Sequence, residues 1–151
     1  MQSSGPGNSA NLYDDEGLFT YTETGFAIAT PSGSYPISWL DIQALFGYKR
    51  DLYAYDLVYL DIFLVNGLNM SIHEQIPGWH YFARRLTAEL PDITSGWEIN
   101  LTFPPFEANF TLLYERAGLL QAEAISTYYQ PEPGLKTKIA AWLKQLFRKI
   151  S

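Results

Sequence analysis

Residues 57–73 read LVYLDIFLVNGLNMSIH. Val58, Leu60, Ile62 and Leu64 alternate with Tyr59, Asp61 and Phe63, the period of a β-strand. Asn66-Gly67 is the favoured pair for a tight two-residue hairpin, where both positions need φ above zero. Leu68, Met70 and Ile72 then return on one face, with Asn69, Ser71 and His73 opposite. This hairpin sets the frame for what lies on either side.

After it, Pro77 stands where a helix can begin. Trp79, Phe82, Ala83, Leu86 and Leu90 recur at helical spacing, with His80, Arg84, Arg85 and Glu89 outside, and Pro91 ends the helix. Before it, Leu18–Glu23, Phe26–Thr30 and Tyr35–Ser38 read as short strands, parted by Thr24-Gly25 and by the turn cluster Pro31–Ser34. Residues 39–50 fit either a strand or a partly helical stretch. Ile42, Ala44, Phe46 and Tyr48 at period two, with Gly47, favour a strand. Trp97–Phe103 alternates and predicts another, ended by Pro104-Pro105, and Asn109–Tyr114 is a last candidate. Gly118–Thr127 stays open between a helix and an extended segment. Strands followed by a packing helix predict an α+β domain of antiparallel strands.

The 151 residues suit one domain with tails. Residues 1–16 are Ser/Gly/Asn-rich and are expected to be disordered; the domain covers 17–130 and a Pro/Gly linker covers 131–134. Residues 135–151 are expected to form an amphipathic helix, in which Leu135, Ile139, Trp142, Leu143, Leu146, Phe147 and Ile150 share an arc of about 140°.

Charge divides the chain. Leu135–Ser151 holds five cations and no acid, while the remaining 134 residues hold 5 basic and 16 acidic groups, net −11. The acidic body argues against nucleic acid as a partner. The basic end suits an anionic membrane surface, a partner's groove or the acidic body itself. There is no cysteine, which excludes disulfides and thiol chemistry. The first residues carry no charged and apolar leader, and the longest apolar run is too short to span a bilayer, so a cytoplasmic location is expected, with peripheral membrane attachment as the alternative.

Residues with chemical potential are few. His73, His80 and Asp61 would make a metal or acid–base site only if they converged. For Asp61 the ordinary expectation is the less buried strand face, or a pair with Lys49 or Arg50. No phosphate loop or nucleophile elbow is present. No catalytic residue, metal or cofactor is therefore assigned. Phe103, Phe106, Glu107 and Phe110, around the stiff Pro104-Pro105, are the candidate partner-binding residues, unless their rings seal the domain instead. Lys138, Trp142, Lys144, Leu146, Phe147, Arg148 and Lys149 are the candidate membrane- or partner-binding residues of the basic end.

Several local patterns occur together: Trp39-Leu40-Asp41-Ile42, Tyr48-Lys49-Arg50-Asp51-Leu52, the Leu57–Glu74 hairpin, Gly78-Trp79, Pro104-Pro105-Phe106-Glu107 and Leu113-Tyr114-Glu115-Arg116. Over residues 18–116 the chain resembles a family of small uncharacterised bacterial proteins with a pleckstrin-homology-like look. The resemblance implies a strongly bent antiparallel sheet, or partly open barrel, closed by a helix. It also implies a non-enzymatic protein-binding role, such as that of an immunity protein covering a basic toxin. Leu18–Thr30 contains no Lys or Arg, which departs from lipid-binding members of that fold.

Overall fold

The computed structural model describes residues 11–105 and 107–129. Strands β1 (Phe19–Tyr21), β2 (Gly25–Thr30) and β3 (Gly33–Ser38) form an antiparallel sheet in the order β1-β2-β3. After a 3₁₀ turn at Trp39–Asp41, β4 (Ile42–Asp51), β5 (Asp56–Leu64) and β6 (Asn69–His73) begin a second antiparallel sheet. Helices α1 (Trp79–Glu89) and α2 (Trp97–Thr102) follow; β7 (Thr111–Glu115) then joins the outer edge of β4, and α3 (Gln121–Tyr128) ends the described chain. The second sheet runs β6-β5-β4-β7. The fold is α+β, and its described strands form two sheets rather than a closed barrel.

The main core lies between the two sheets and the helices. Phe19, Phe26 and Ile37 meet Leu45, Leu60 and Ile62, with Trp79, Phe82 and Leu86 of α1 and Trp97 and Leu101 of α2. Phe82 stacks on Phe19 at 4.6 Å and meets Phe26 edge-on at 5.0 Å, so one helix face is keyed into the first sheet by rings. The reverse face of the second sheet is buried too. Ala44, Phe46 and Phe63 lie under Ala124 and Tyr129, with Phe110 and Tyr128 alongside. The residues expected on a less buried face are thus covered by α3 and its neighbours.

Four sequence expectations need correction. Trp97–Thr102 is helical: Trp97 and Leu101, four apart, are buried, while Ile99 is 68% exposed. The period-two pattern there was fortuitous, since Ile99 and Phe103 do not share the core with Leu101. The hairpin loop has three residues, because the Leu64 N–H donates to the Leu68 carbonyl and the Gly67 N–H to the Leu64 carbonyl. Only Gly67 takes a positive φ (87°); Asn66 instead accepts the Leu68 N–H through its side chain. A register shift between Ile42 and Ala44 puts Ile42 in the main core while Ala44 and Phe46 face the other way. Asp61 is buried and does not pair with Lys49, which bonds Asp56.

Residues 39–50 are mostly strand, as favoured, and Gly118–Thr127 resolves largely into α3. The expected tail 1–16 (except 11–16), Phe106, the linker 131–134 and the helix over 135–151 lie outside the described residues.

Gly47 lets α2 sit on β4. A Cβ there would lie 2.7 Å from Cδ1 of Leu101 and 3.0 Å from Cδ1 of Leu113. Both are ends of flexible side chains, so Gly47→Ala is expected to fold with a loss of about 1–3 kcal/mol. An unchanged thermal midpoint would contradict the close packing of α2.

At the outer edge of β7, Gln121 behaves like a peptide group. Its Oε1 accepts the Leu112 N–H (3.1 Å) and its Nε2 donates to the Phe110 carbonyl (3.0 Å).

Candidate functional site

The end of the molecule formed by the β4–β5 turn and the loop after α2 carries the most exposed aromatic surface of these elements. Asp51 and Asp56 face each other where the two strands close. Between them, Asp51 Oδ1 accepts the Tyr53 N–H at 2.9 Å, and Leu52 donates to the Tyr55 carbonyl at 3.0 Å. Tyr53 sits at φ 75° and is fully exposed; Tyr55 is exposed as well.

Lys49 couples this turn to the neighbouring loop. Its side chain is 1% exposed, and Nζ lies 3.3 Å from Asp56 Oδ2. The same ammonium donates to the Thr102 carbonyl (2.9 Å) and the Pro104 carbonyl (2.8 Å). A buried ammonium needs such a set of acceptors, because its desolvation is otherwise prohibitive. Asn109, itself at φ 47°, adds a second clamp: Nδ2 donates to the carbonyls of Leu101 (2.9 Å), Phe103 (3.0 Å) and Pro104 (3.3 Å). The loop is therefore held by its backbone oxygens, leaving Phe103 71% exposed. Ile99, one helical turn before Phe103, is exposed on the same helix end.

Of the residues assigned from sequence, Phe103 and Glu107 are exposed. Phe110 is half-buried, stacked 5.4 Å from Phe46 and 5.6 Å from Tyr48, and so belongs to the second core. Phe106 and the residues from Lys138 to Lys149 lie outside the described residues. Tyr53, Tyr55 and Ile99 were missed. The two tyrosines within one short turn were a readable signal; Ile99 was hidden by reading its helix as a strand.

A second polar node lies inside the protein. Asp61, 3% exposed, accepts hydroxyl hydrogen bonds from Tyr48 (3.0 Å), Ser71 (2.5 Å) and Tyr129 (2.6 Å). Burial pushes its carboxyl above the ordinary range; the three hydroxyls and the Arg50 charge oppose that rise. The tyrosines respond in kind, both raised by burial and by the Asp61 charge beside them.

The histidines do not join this node. His73 packs on the Tyr59 ring at 5.4 Å and His80 on Tyr13 at 5.2 Å. Among the described residues no group of three or more His, Asp or Glu is placed to hold a metal ion. A cleft of about 120 Å³ lies between α2 and β7, lined by Trp97, Asn100, Leu101 and Leu113 among others. None of the described helices is long and apolar enough to cross a membrane. Compared with known proteins, the chain matches no family model, no curated protein and no solved structure.

Proposed function

We propose that this chain is a non-enzymatic, cytoplasmic protein-binding module of the immunity type, and that Tyr53, Tyr55, Ile99 and Phe103 form its contact surface. Tyr53 carries the reading. A left-handed conformation costs a non-glycine residue about 1–2 kcal/mol, and a fully exposed ring recovers none of it inside the fold. Strain of this kind gathers where a protein meets a ligand. Rigid exposed aromatics on a clamped loop are the residue type and the setting of binding hot spots. The pleckstrin-homology-like reading of the fold is supported by the three- and four-stranded sheets sharing one core with α1.

The partner is basic. The described residues carry 15 acidic and 5 basic side chains, net −10. Such a field speeds encounter with a cationic surface and weakens as salt rises.

Tyr53→Gly is expected to stabilise the fold by about 1 kcal/mol, since glycine takes this φ freely. The same change should weaken partner binding by about 2 kcal/mol or more. The decisive comparison is affinity capture from the native host with wild-type and Tyr53→Gly/Phe103→Ser full chains. One basic protein should be held by the wild type, released as salt is raised, and lost with the double variant. Equal capture by both chains would reject this surface.

A further inference from the structure

We infer that the outer edge of β6 is a dimer seam, at which a second copy of this chain adds its own β6 antiparallel, Met70 facing Met70 across a two-fold axis. None of the residues of β6 belongs to the contact surface proposed above.

Strand register decides which peptide groups are free. Between β5 and β6 the Leu64 N–H donates to the Leu68 carbonyl, and the Glu74 N–H donates to the Val58 carbonyl. Bonded and non-bonded pairs alternate along an antiparallel ladder. Leu68, Met70 and Ile72 therefore turn their peptide groups towards β5, and Asn69, Ser71 and His73 turn theirs outward. β6 borders β5 alone and ends the sheet. Asn69 and Ser71 are exposed, and among the described residues no turn or loop bonds their N–H or carbonyl groups. The His73 carbonyl, in contrast, accepts the Ile76 N–H at 3.1 Å. Edge strands are commonly guarded by a charge, a proline or a bulge. β6 contains no Lys, Arg, Asp, Glu or Pro, and its register with β5 runs unbroken.

These free groups fit a second β6 in one register. With Met70 on the two-fold axis, Asn69 of each copy lies opposite Ser71 of the other, and the two pairs exchange four N–H···O=C bonds. With Ser71 on the axis instead, Asn69 would face His73 and need the carbonyl that Ile76 already holds. The Met70 register also sets Leu68 opposite Ile72 of the second copy, on the face that Met70 and Ile72 turn to the main core. Leu68 is 51% exposed and Met70 only partly buried, so pairing removes from water apolar surface that a single copy leaves out.

Charge favours a second copy over a basic partner here. No charged side chain occurs from Ile62 to Ile72, so the strand gives a cation nothing to pair with along its length. Two acids flank it. Asp41, whose backbone carbonyl accepts the Val65 N–H, lies on the far side of β5, and the Glu74 Oε1 is held by the Val58 N–H. In the two-fold register Glu74 of one copy falls beside the Asn66 turn of the other, so the two Glu74 side chains stay well apart. A neutral strip with apolar residues is where two copies of an acidic chain can meet. An isologous pair also uses up the edge that forms it, so association through β6 stops at two.

Sedimentation of the full chain should show a monomer–dimer equilibrium that levels at two copies. Each chain is net −6, so added salt should tighten the pair or leave it unchanged. Asn69→Pro deletes an outward N–H at the first residue of an edge strand, where proline is tolerated. By symmetry two of the four bonds go, and the dissociation constant should rise about tenfold or more. Met70→Lys and Met70→Glu should each give monomers that keep the wild-type circular dichroism. A one-to-one mixture of the two should recover the dimer, because this register alone sets residue 70 against residue 70. In the wild type the Asn69 and Ser71 amides should exchange hydrogen more slowly as concentration rises; unchanged exchange there overturns the seam even if a variant fails to fold. A chain that stays monomeric, a dimer indifferent to Asn69→Pro, a mixture that does not associate, or assemblies that grow past two would each do the same. Association that weakens with salt would assign it to the basic end meeting the acidic body of another copy, again against β6.

Discussion

Lys49→Met should lower the unfolding free energy by about 3–5 kcal/mol, although the substitution keeps the length and apolar stem of the side chain. The loss comes from what the ammonium leaves behind. The Asp56 carboxylate loses its ion pair, and the Thr102 and Pro104 carbonyls lose the donor between them. A buried acceptor without a donor costs about 1–3 kcal/mol, and a charged one more. Adding Asp56→Asn should recover part of the loss by removing the charge that faced the ammonium, while Thr102 stays short of a donor. Urea unfolding of the three proteins measures this; a loss under about 1 kcal/mol for the single variant would show the ammonium to be dispensable. Because Lys49 fixes both loops, its removal should also weaken the Tyr53–Phe103 surface without touching a residue of it.

Asp61 gives the second large effect. Asp61→Val should destabilise the protein by about 3 kcal/mol or more, since Tyr48, Ser71 and Tyr129 all donate to this carboxyl. Asp61→Asn, which retains one acceptor oxygen and the shape, should lose much less. The pair also differ in pH dependence. With its carboxyl raised in the folded protein, chiefly by burial, native Asp61 holds its proton more tightly than the unfolded chain does. Its contribution to stability is then largest below the ordinary carboxylate pKa, about 3.9, and falls as pH rises towards the raised native value, levelling off above it. Asp61→Asn cannot titrate, so the wild type should lose stability relative to it across that window. Wild-type stability that stays level with pH relative to the variant would mean an unshifted carboxyl, and wild-type stability that rises would mean a carboxyl stabilised as the anion; either outcome contradicts the raised value.

The reading of the hairpin's first strand survived because strand alternation and burial coincide there: Val58, Leu60, Ile62 and Leu64 all enter the main core. The same rule failed at Trp97–Phe103. Over six or seven residues, apolar positions two and four apart satisfy both periods, and tertiary packing of Trp97 and Leu101 decided for the helix. Asp61 was misjudged for a different cause. Its cover comes from Phe110, α3 and Tyr129, about fifty to seventy positions later in the chain, and pattern within one strand cannot report what will close over it. The proline-flanked loop marked Phe103 as a candidate, but its sequence left open whether the ring faces solvent or seals the domain; the structure exposes it. The clamp beneath it was not legible, because a lysine in a strand reads as solvated until its carbonyl partners are in place.

Gln121 has a consequence for how this molecule behaves in a crowd. β4 and β5 are long and apolar on both faces, the kind of strands that recruit a neighbour when a free edge lies beside them. At β7, the strand that borders β4, the docking positions at Phe110 and Leu112 are already taken by a side-chain amide offering the donor and acceptor of a peptide unit. A further strand could add at those positions only by evicting that side chain. That edge of the sheet thus carries its own terminator, which keeps it from becoming the template for the next copy.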